Sequence, residues 1–599
     1  MIVSRARPAL GLLLALAVTG SAASALAQSD GSDPMLLIPF DDDVGSAATD
    51  GTGGSTGQFG VPGSSDSLQV ESLEAVSSSA AGTLDINGGG FSMDMWDRSD
   101  PGLVATLLPA IPAGNGSPTA TELARRLLLT AASPPQGESA DLLALRMERL
   151  NALGLHAAVA ELATSAGRSA LSAAALAGLA DAGFLAGQPD EACRNVRDGM
   201  NLGGGVELQK ALVFCQRLAG EEAAADLGLS LLQESGIVLE PQYVALDGAP
   251  ASGTRGRIES LEGATPLILA MALAADVPLS GALIASAPAG IQRAIAESAV
   301  LDNEIRLAAG EQATANGAMA GSELAALYAS VPYGPAEITS ALSQADGMDG
   351  PSARALLFQA AQTQVLPAAK AEALAALLHH AAETGGPSGY LAAARAAAGQ
   401  IAGLTPASEL AWFSADASAA LLMAGRPESA ARWWPLLQDR AQGSADFAAR
   451  ATALWPLFRL AFGEQLPDGG AGMAGWWQAN AGLGDGRRLA LAETYLAGLA
   501  AFGDNAGAPI VSEVVALSPA RETAASPAAL LFAMNQAAAA GSVGQTVLLA
   551  LVVLGPQGPA GVDPVSLEAV VDALDRVGLA VEGRLIAMEA GGQRAIAKP

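Results

Sequence analysis

The sequence predicts an all-α fold: an α-solenoid of antiparallel helix hairpins, preceded by a signal peptide and a disordered linker. Three observations predict it. Gly154, Gly187 and Gly220 are spaced 33 residues apart, and each follows one apolar helical run and opens another. Hydrophobic residues make up 51% of the 599-residue chain but aromatics only 4%, so the core must be mostly Ala and Leu, which favour close-packed helices. Pro335, Pro351 and Pro367 stand 16 residues apart, each where a helix would begin, and two such steps nearly equal one 33-residue hairpin.

In chain order, residues 1–27 read as a secretory signal peptide. Arg5 and Arg7 give a positive start, Ala9 to Val18 a short apolar core, and Ala25-Leu26-Ala27 a small-x-small cleavage site, so the mature chain would begin at Gln28. The apolar core is shorter than the ~20 residues of a membrane span, and an uncleaved anchor is the competing reading. No Cys follows it to carry a lipid. Export of a protein without a later span, to a periplasm or beyond, is the expected localisation.

Residues 28–90 are rich in Ser, Gly, Asp and Thr and lack apolar periodicity, so they are expected to be disordered. Two apolar islands interrupt them, Met35 to Phe40 and Leu68 to Val76. Each reads either as a docking motif for a partner or as a piece that packs on this chain. The folded body is expected to open at Phe91–Trp96, with an N-terminal helical-repeat module over 91–240, a central helical module over 241–400 and a C-terminal one over 401–599.

In the first module, Thr119-x-x-Glu122 reads as a capping box before Leu123, Leu127 and Leu128. Helices are then expected at about 141–153, 155–165, 169–186, 189–202, 206–219 and 221–234. The clearest hairpin is Leu171 to Met200. Gly187 ends its first helix, where a left-handed residue is needed. Pro189, Asp190 and Glu191 start the second, Pro because that position needs no N–H, the acids because they favour the helix's positive end. Met423-Ala424-Gly425-Arg426-Pro427-Glu428 repeats this turn, and Val577-Gly578-Leu579 is a shorter copy. The stretch from Tyr243 to Arg257 is a Gly/Pro/Ser-containing break, and Ala381 to Pro387 a loop. Thr405-Pro406 and Asp563-Pro564 are cap-plus-proline helix starts, Leu466–Gly475 and Gly482–Gly486 are glycine-rich loops, and Val547–Leu554 is a buried helix.

In its inter-helix turn (Gly187 or Gly425, an acidic residue, then the small Ala192 or Ala430) the chain resembles the tetratricopeptide-like repeat superfamily. Its period is close to that family's, and Trp434 occupies an aromatic place on the second helix. The family's early Trp and Tyr positions are not matched in Leu171–Met200, and the resemblance covers a few hairpins. It implies protein or peptide binding, and it brings no catalytic residue.

Asp+Glu number 60 against 31 Lys+Arg, a net charge of −29. Phosphate backbones and anionic membrane surfaces repel such a chain, which argues against nucleic acid as a partner. The two cysteines, Cys193 and Cys215, fall near the start of one expected helix and the end of the next, antiparallel one, so they lie at the same end of neighbouring helices. A disulfide is the favoured reading in an exported protein, two buried thiols the other.

Six of the seven tryptophans, Trp412, Trp433, Trp434, Trp455, Trp476 and Trp477, lie in the third module at a recurring spacing of 21 residues. They are either its large core residues or a binding face for peptide or sugar. The pair Trp476-Trp477, set among Gly and Ala, is the one expected to be exposed. His379 and His380 point in different directions on a helix and make a poor metal pair; their expected role is charge or hydrogen bonding near a helix end, and His156 is expected exposed in a turn. No metal site and no cofactor are expected.

Catalytic motifs lack their context. Gly53-Gly54-Ser55-Thr56-Gly57 matches a nucleophile elbow by letter only, with neither strand before it nor helix after it. No phosphate-cradling loop pattern is present. Glycosidase chemistry leaves no short motif, so Glu221-Glu222, Asp346 with Asp349, and Glu409 with Asp416 are the pairs to inspect, each also readable as a solvated helix end or turn. The sequence therefore favours a non-catalytic exported helical-repeat protein that binds an envelope protein or peptide. A glycan-binding or glycan-active protein using the tryptophan series, and a structural envelope spacer, are the alternatives.

Overall fold

Helix boundaries follow from the turn chemistry. In the computed structural model, which describes residues 78–137, 140–249, 255–345, 347–348, 350–466, 472–517 and 526–597, the central hairpin is Ala173–Leu185 followed by Pro189–Asn201. Ser172 caps the first helix by accepting from Ala175 N–H. Gly187, at φ +68°, ends it. Gln188 N–H donates to Gly183 O at 2.8 Å and Gly187 N–H to Phe184 O at 3.1 Å, the paired bonds that satisfy the last carbonyls of a helix. The same two bonds recur at Gly154, Gly220, Gly425 and Gly578, all at positive φ. Gly183 has a second reason to be glycine: a Cβ there would sit 3.1 Å from that of Ala192, so the two helices touch at the turn.

All described regular structure is helical, apart from one isolated parallel bridge, Leu84 with Thr130. The helices expected in the first module appear at Leu142–Ala152, His156–Ala166, Ala173–Leu185, Pro189–Asn201, Val206–Leu218 and Glu222–Glu234. Pro335, Pro351 and Pro367 each open a helix. A separation close to one hairpin recurs in the long-range bonds. Lys210 to Glu240 (2.8 Å), Arg217 to Asp247 (3.1 Å), Arg293 to Glu323 (2.6 Å) and Arg432 to Ala402 O (3.0 Å) all join residues 30 apart, one hairpin to the next. Helix pairs packed in succession are compatible with a helical-repeat fold.

The chain does not continue outward from Glu222–Glu234. Pro266–Ala274 turns back to pack on Ala173–Leu185, and Ala289–Glu297 packs on Leu142–Ala152. Pro266–Ala274 is apolar on every side, as a helix covered from several directions must be. Further on, the buried pair Glu311–Arg354, bidentate at 2.7 and 2.5 Å with Tyr328 Oη donating to Glu311 at 2.6 Å, locks three helices together.

The two ends of the described body meet. Ala580–Ile596 packs on Pro118–Leu129, and Val543–Leu554 on Pro101–Leu107 and Pro118–Leu129. Glu589, buried, accepts from Ser117 Oγ, Thr119 Oγ1 (2.7 Å) and Thr119 N–H (3.2 Å). Burial raises its pKa, against the pull of those hydroxyls and of Arg395. Arg395, also buried, donates to Thr314 O and Ala315 O on one side and Gly116 O on the other, while Gln593 Nε2 reaches the same Gly116 O at 2.8 Å. Burial pushes the Arg395 pKa down to about 10. Three distant segments thus converge on residues 116–119.

Several expectations need correction. Helix Pro118–Leu129 is capped by Ser117, which accepts from Ala120 N–H, and Glu122 instead pairs with Arg125 at 2.7 Å. The residue before a proline is pushed out of the helical region, so the cap precedes Pro118. The loop at Ala381–Pro387 shrinks to Gly385, between Pro367–Thr384 and Gly386–Ala402. After Thr405-Pro406 the helix begins only at Ser408, as a tight turn leading into Ser414–Met423. Of the stretch expected to be disordered, Ser78–Gly90 is packed: Thr83 and Leu84 N–H donate to Leu129 O, and Ala131 N–H donates to Leu84 O. Arg146 draws it in by donating to Ser79 O and Ala81 O. The signal peptide, both apolar islands, Gly53–Gly57 and the Asp346/Asp349 pair lie outside the described residues.

Candidate functional site

The turn at Gly187 borders a cavity of about 440 Å³. Its walls come from the ends of the first hairpins and from the helices that fold back over them: Phe184, Phe214, Leu218, Leu273, Ala274 and Val300 line it. Phe184 and Phe214 pack edge to face, with centroids 5.9 Å apart. Leu218 is 41% and Val300 84% exposed, so apolar surface continues from the cavity to solvent. Apolar pockets of this size with few polar groups are the usual form of a binding site.

The main polar feature of this cavity is the contact between His156 and Glu297. His156 Nε2 lies 3.2 Å from Glu297 Oε2. The expectation of an exposed His156 is corrected, since its side chain is only 12% exposed beneath Glu297. Burial works against the Glu297 charge, but His156 and Arg293 together hold its carboxyl below the usual range. A carboxylate kept ionised in this way is a poor general acid; Ser298 also lines the cavity, and none of the described hydrogen bonds joins its hydroxyl to His156.

A second concavity, of about 490 Å³, lies across the first helices of three successive hairpins, with an alanine floor and Glu148, Asp181 and Glu207 at its edge. Burial, then Glu207 and Glu148, push the Asp181 carboxyl up to about 7.

The tryptophans divide. Trp433, Trp434, Trp455, Trp476 and Trp477 are buried, at 1–9% exposure, and Trp412 is 40% exposed. The expectation that Trp476 and Trp477 stand in solvent is therefore corrected: both are 2% exposed. Trp476 packs edge to face on Tyr495, and Trp477 donates to Glu513 Oε2 at 2.6 Å beneath Arg488, 3.8 Å from its ring. Trp433 meets Phe413 and Trp434 meets Phe458. Among the described ring contacts, none joins one of these six indoles to another, and the five buried ones are anchored separately in the core.

Cys193 and Cys215 are brought to disulfide distance, with Cα atoms 5.6 Å apart, near the start of Pro189–Asn201 and the end of Val206–Leu218. His380 Nε2 lies 2.9 Å from Met348 O, and His379 lies 3.6 Å from Asp416. Among the described residues no group of three or more His, Cys, Asp or Glu is placed to hold a metal ion, and no helix is long and apolar enough to cross a membrane. The carboxylate pairs serve as ion-pair partners or face solvent: Glu222 takes Arg217 at 2.5 Å, Asp416 takes Arg450 at 3.0 Å, and Glu221 and Glu409 are exposed.

Sequence reasoning missed the cavity because half its wall comes from Pro266–Val300, which local periodicity does not place beside the first hairpins. The available signal was Pro266–Ala274, a helix with no polar face to show to water. No protein-family model, curated protein or solved structure matches this chain.

Proposed function

We propose that this chain is a non-catalytic, exported α-solenoid of the tetratricopeptide-like kind that binds a protein or peptide partner in the cell envelope. The observation that carries the reading is the apolar cavity at the Gly187 turn, open to solvent through Leu218 and Val300. Its volume suits one bulky side chain of a partner, and burying such a side chain contributes about 1.5–3 kcal/mol. Export rests on Arg5, Arg7 and the Ala25-Leu26-Ala27 cleavage pattern. A cysteine pair at disulfide distance is compatible with an oxidising compartment.

The test is a crosslinking pull-down of the mature protein from its own envelope, alongside Ala274→Trp. Ala274 lines the cavity and is itself exposed, so the substitution fills the cavity mouth without disturbing the core. A defined partner captured by the wild type and lost in the variant supports the reading. A partner captured equally by both moves the interface elsewhere, and recovery of glycan without protein would replace the reading with a glycan-binding one centred on Trp412.

A further inference from the structure

We infer that the occupant of the Gly187 cavity is a peptide segment carrying one bulky apolar side chain flanked by lysine or arginine. The inference rests on the peptide-binding reading of this cavity and specifies its partner's chemistry. The apolar walls ask for an apolar anchor; the charges around the mouth decide what surrounds it.

Those charges are one-sided. Pro189 lines the cavity, and the exposed Asp190 and Glu191 follow it in the first turn of their helix. Glu221, exposed, stands three residues beyond Leu218, and Asp302, exposed, two beyond Val300. Glu297 lies in the wall. Three of the cations close by are already engaged. Arg217, whose side chain is 8% exposed, is held by Glu222, Asp226 and Asp247 at 2.5–3.1 Å. Arg293 is held by Glu297 and Glu323 at 2.9 and 2.6 Å. Arg255 is paired with Asp276 at 2.8 Å. Arg194, exposed, lies a turn further along the helix from Asp190. None of the described ion pairs holds Asp190, Glu191, Glu221 or Asp302, and carboxylates this close in the chain to the lining of an apolar hole leave a potential that a basic segment neutralises and an acidic one does not.

The chain as a whole, at −29, steers the same class of partner over longer range. A second copy of this chain would bring like charge to the mouth. An anionic lipid would bring its headgroup against the same carboxylates.

The test is selection of a randomised phage-displayed peptide library on the full-length protein, followed by fluorescence anisotropy of the enriched peptides. Enriched sequences are expected to share a single Leu, Phe, Met or Trp with Lys or Arg on either side. Replacing that anchor by Ala, or using the Ala274→Trp or Leu218→Ser protein, is expected to weaken binding at least about tenfold. Glu in place of the flanking Lys, or Asp190→Asn with Glu191→Gln, is expected to weaken it several-fold, an effect that salt diminishes. Enrichment of acidic or uncharged flanks, still lost in Ala274→Trp, overturns the charge inference and leaves the cavity reading standing. Enrichment indifferent to Ala274→Trp and Leu218→Ser, no enrichment, or an acyl chain found in the purified protein by mass spectrometry overturns both.

Discussion

Glu589 is the residue whose loss reports on whether the two ends of the described body act as one. It accepts from the hydroxyl that caps Pro118–Leu129 and from the hydroxyl and N–H of Thr119, across 472 and 470 residues of chain. In Glu589→Ala these donors lose their acceptor. Each buried polar group left unpaired costs about 1–3 kcal/mol. Relief of the carboxylate's own burial opposes this, and the net loss is on the order of 3 kcal/mol. That energy corresponds to roughly a hundredfold faster amide exchange by local opening.

Hydrogen-exchange mass spectrometry is the assay. Protection is expected to fall together in Pro118–Leu129 and Ala580–Ile596, while Ala173–Leu185 and Pro189–Asn201 keep theirs. Loss confined to Ala580–Ile596 would refute the claim that this helix holds the other end. The pH dependence has a definite sign. The folded state raises the Glu589 pKa, so it binds the proton more tightly than the unfolded chain does. The associated stability is complete below the ordinary carboxyl range and fades as pH rises through the folded value. Glu589→Gln, which cannot ionise, is expected to remove that slope.

Asp181 follows the same sign over a window from about 4 to about 7. Asp181→Asn is expected to match the wild type in urea denaturation at pH 4 and exceed it by about 1–3 kcal/mol at pH 8; a difference independent of pH would refute the burial argument. Replacing Cys193 and Cys215 together by Ser is expected to lower stability by about 3 kcal/mol, from the loop released in the unfolded chain. Reductant should then destabilise the wild type and leave the double variant unchanged. Trp477→Ala, which empties a buried site and strands Glu513, is expected to cost about 3–5 kcal/mol by chemical denaturation, and Trp412→Ala under about 1 kcal/mol; equal losses would refute the division of the tryptophans into core and surface.

What was legible in the sequence is what local physics controls. A left-handed glycine after an apolar run fixed five helix ends, and prolines that need no N–H marked the starts at 335, 351 and 367. The cysteine pairing followed once the helices were placed, because antiparallel neighbours put a start beside an end. What was not legible depends on elements far apart in the chain. Ser78–Gly90 looked unable to order itself; it is held by Arg146 and by the bridge between Leu84 and Thr130. Trp476 and Trp477 looked exposed among small neighbours, yet Tyr495, Arg488 and Glu513 cover them from later segments. The candidate cavity has one wall in the first hairpins and one in the helices that fold back over them, and no short window of sequence contains both.

The junction between Ser117 and Glu589 also sets a clock. A ribosome adding roughly 5–20 residues per second needs on the order of half a minute to a minute and a half to make the stretch between them. Through that interval Pro118–Leu129 has Leu142–Ala152 against it but lacks its cover from Val543–Leu554 and Ala580–Ile596. An array of hairpins with free ends could mature as it is made. This one leaves Pro118–Leu129 unfinished until its last helix arrives, so a factor that shields incomplete chains would find a substrate in the segment around Leu123, Leu127 and Leu128.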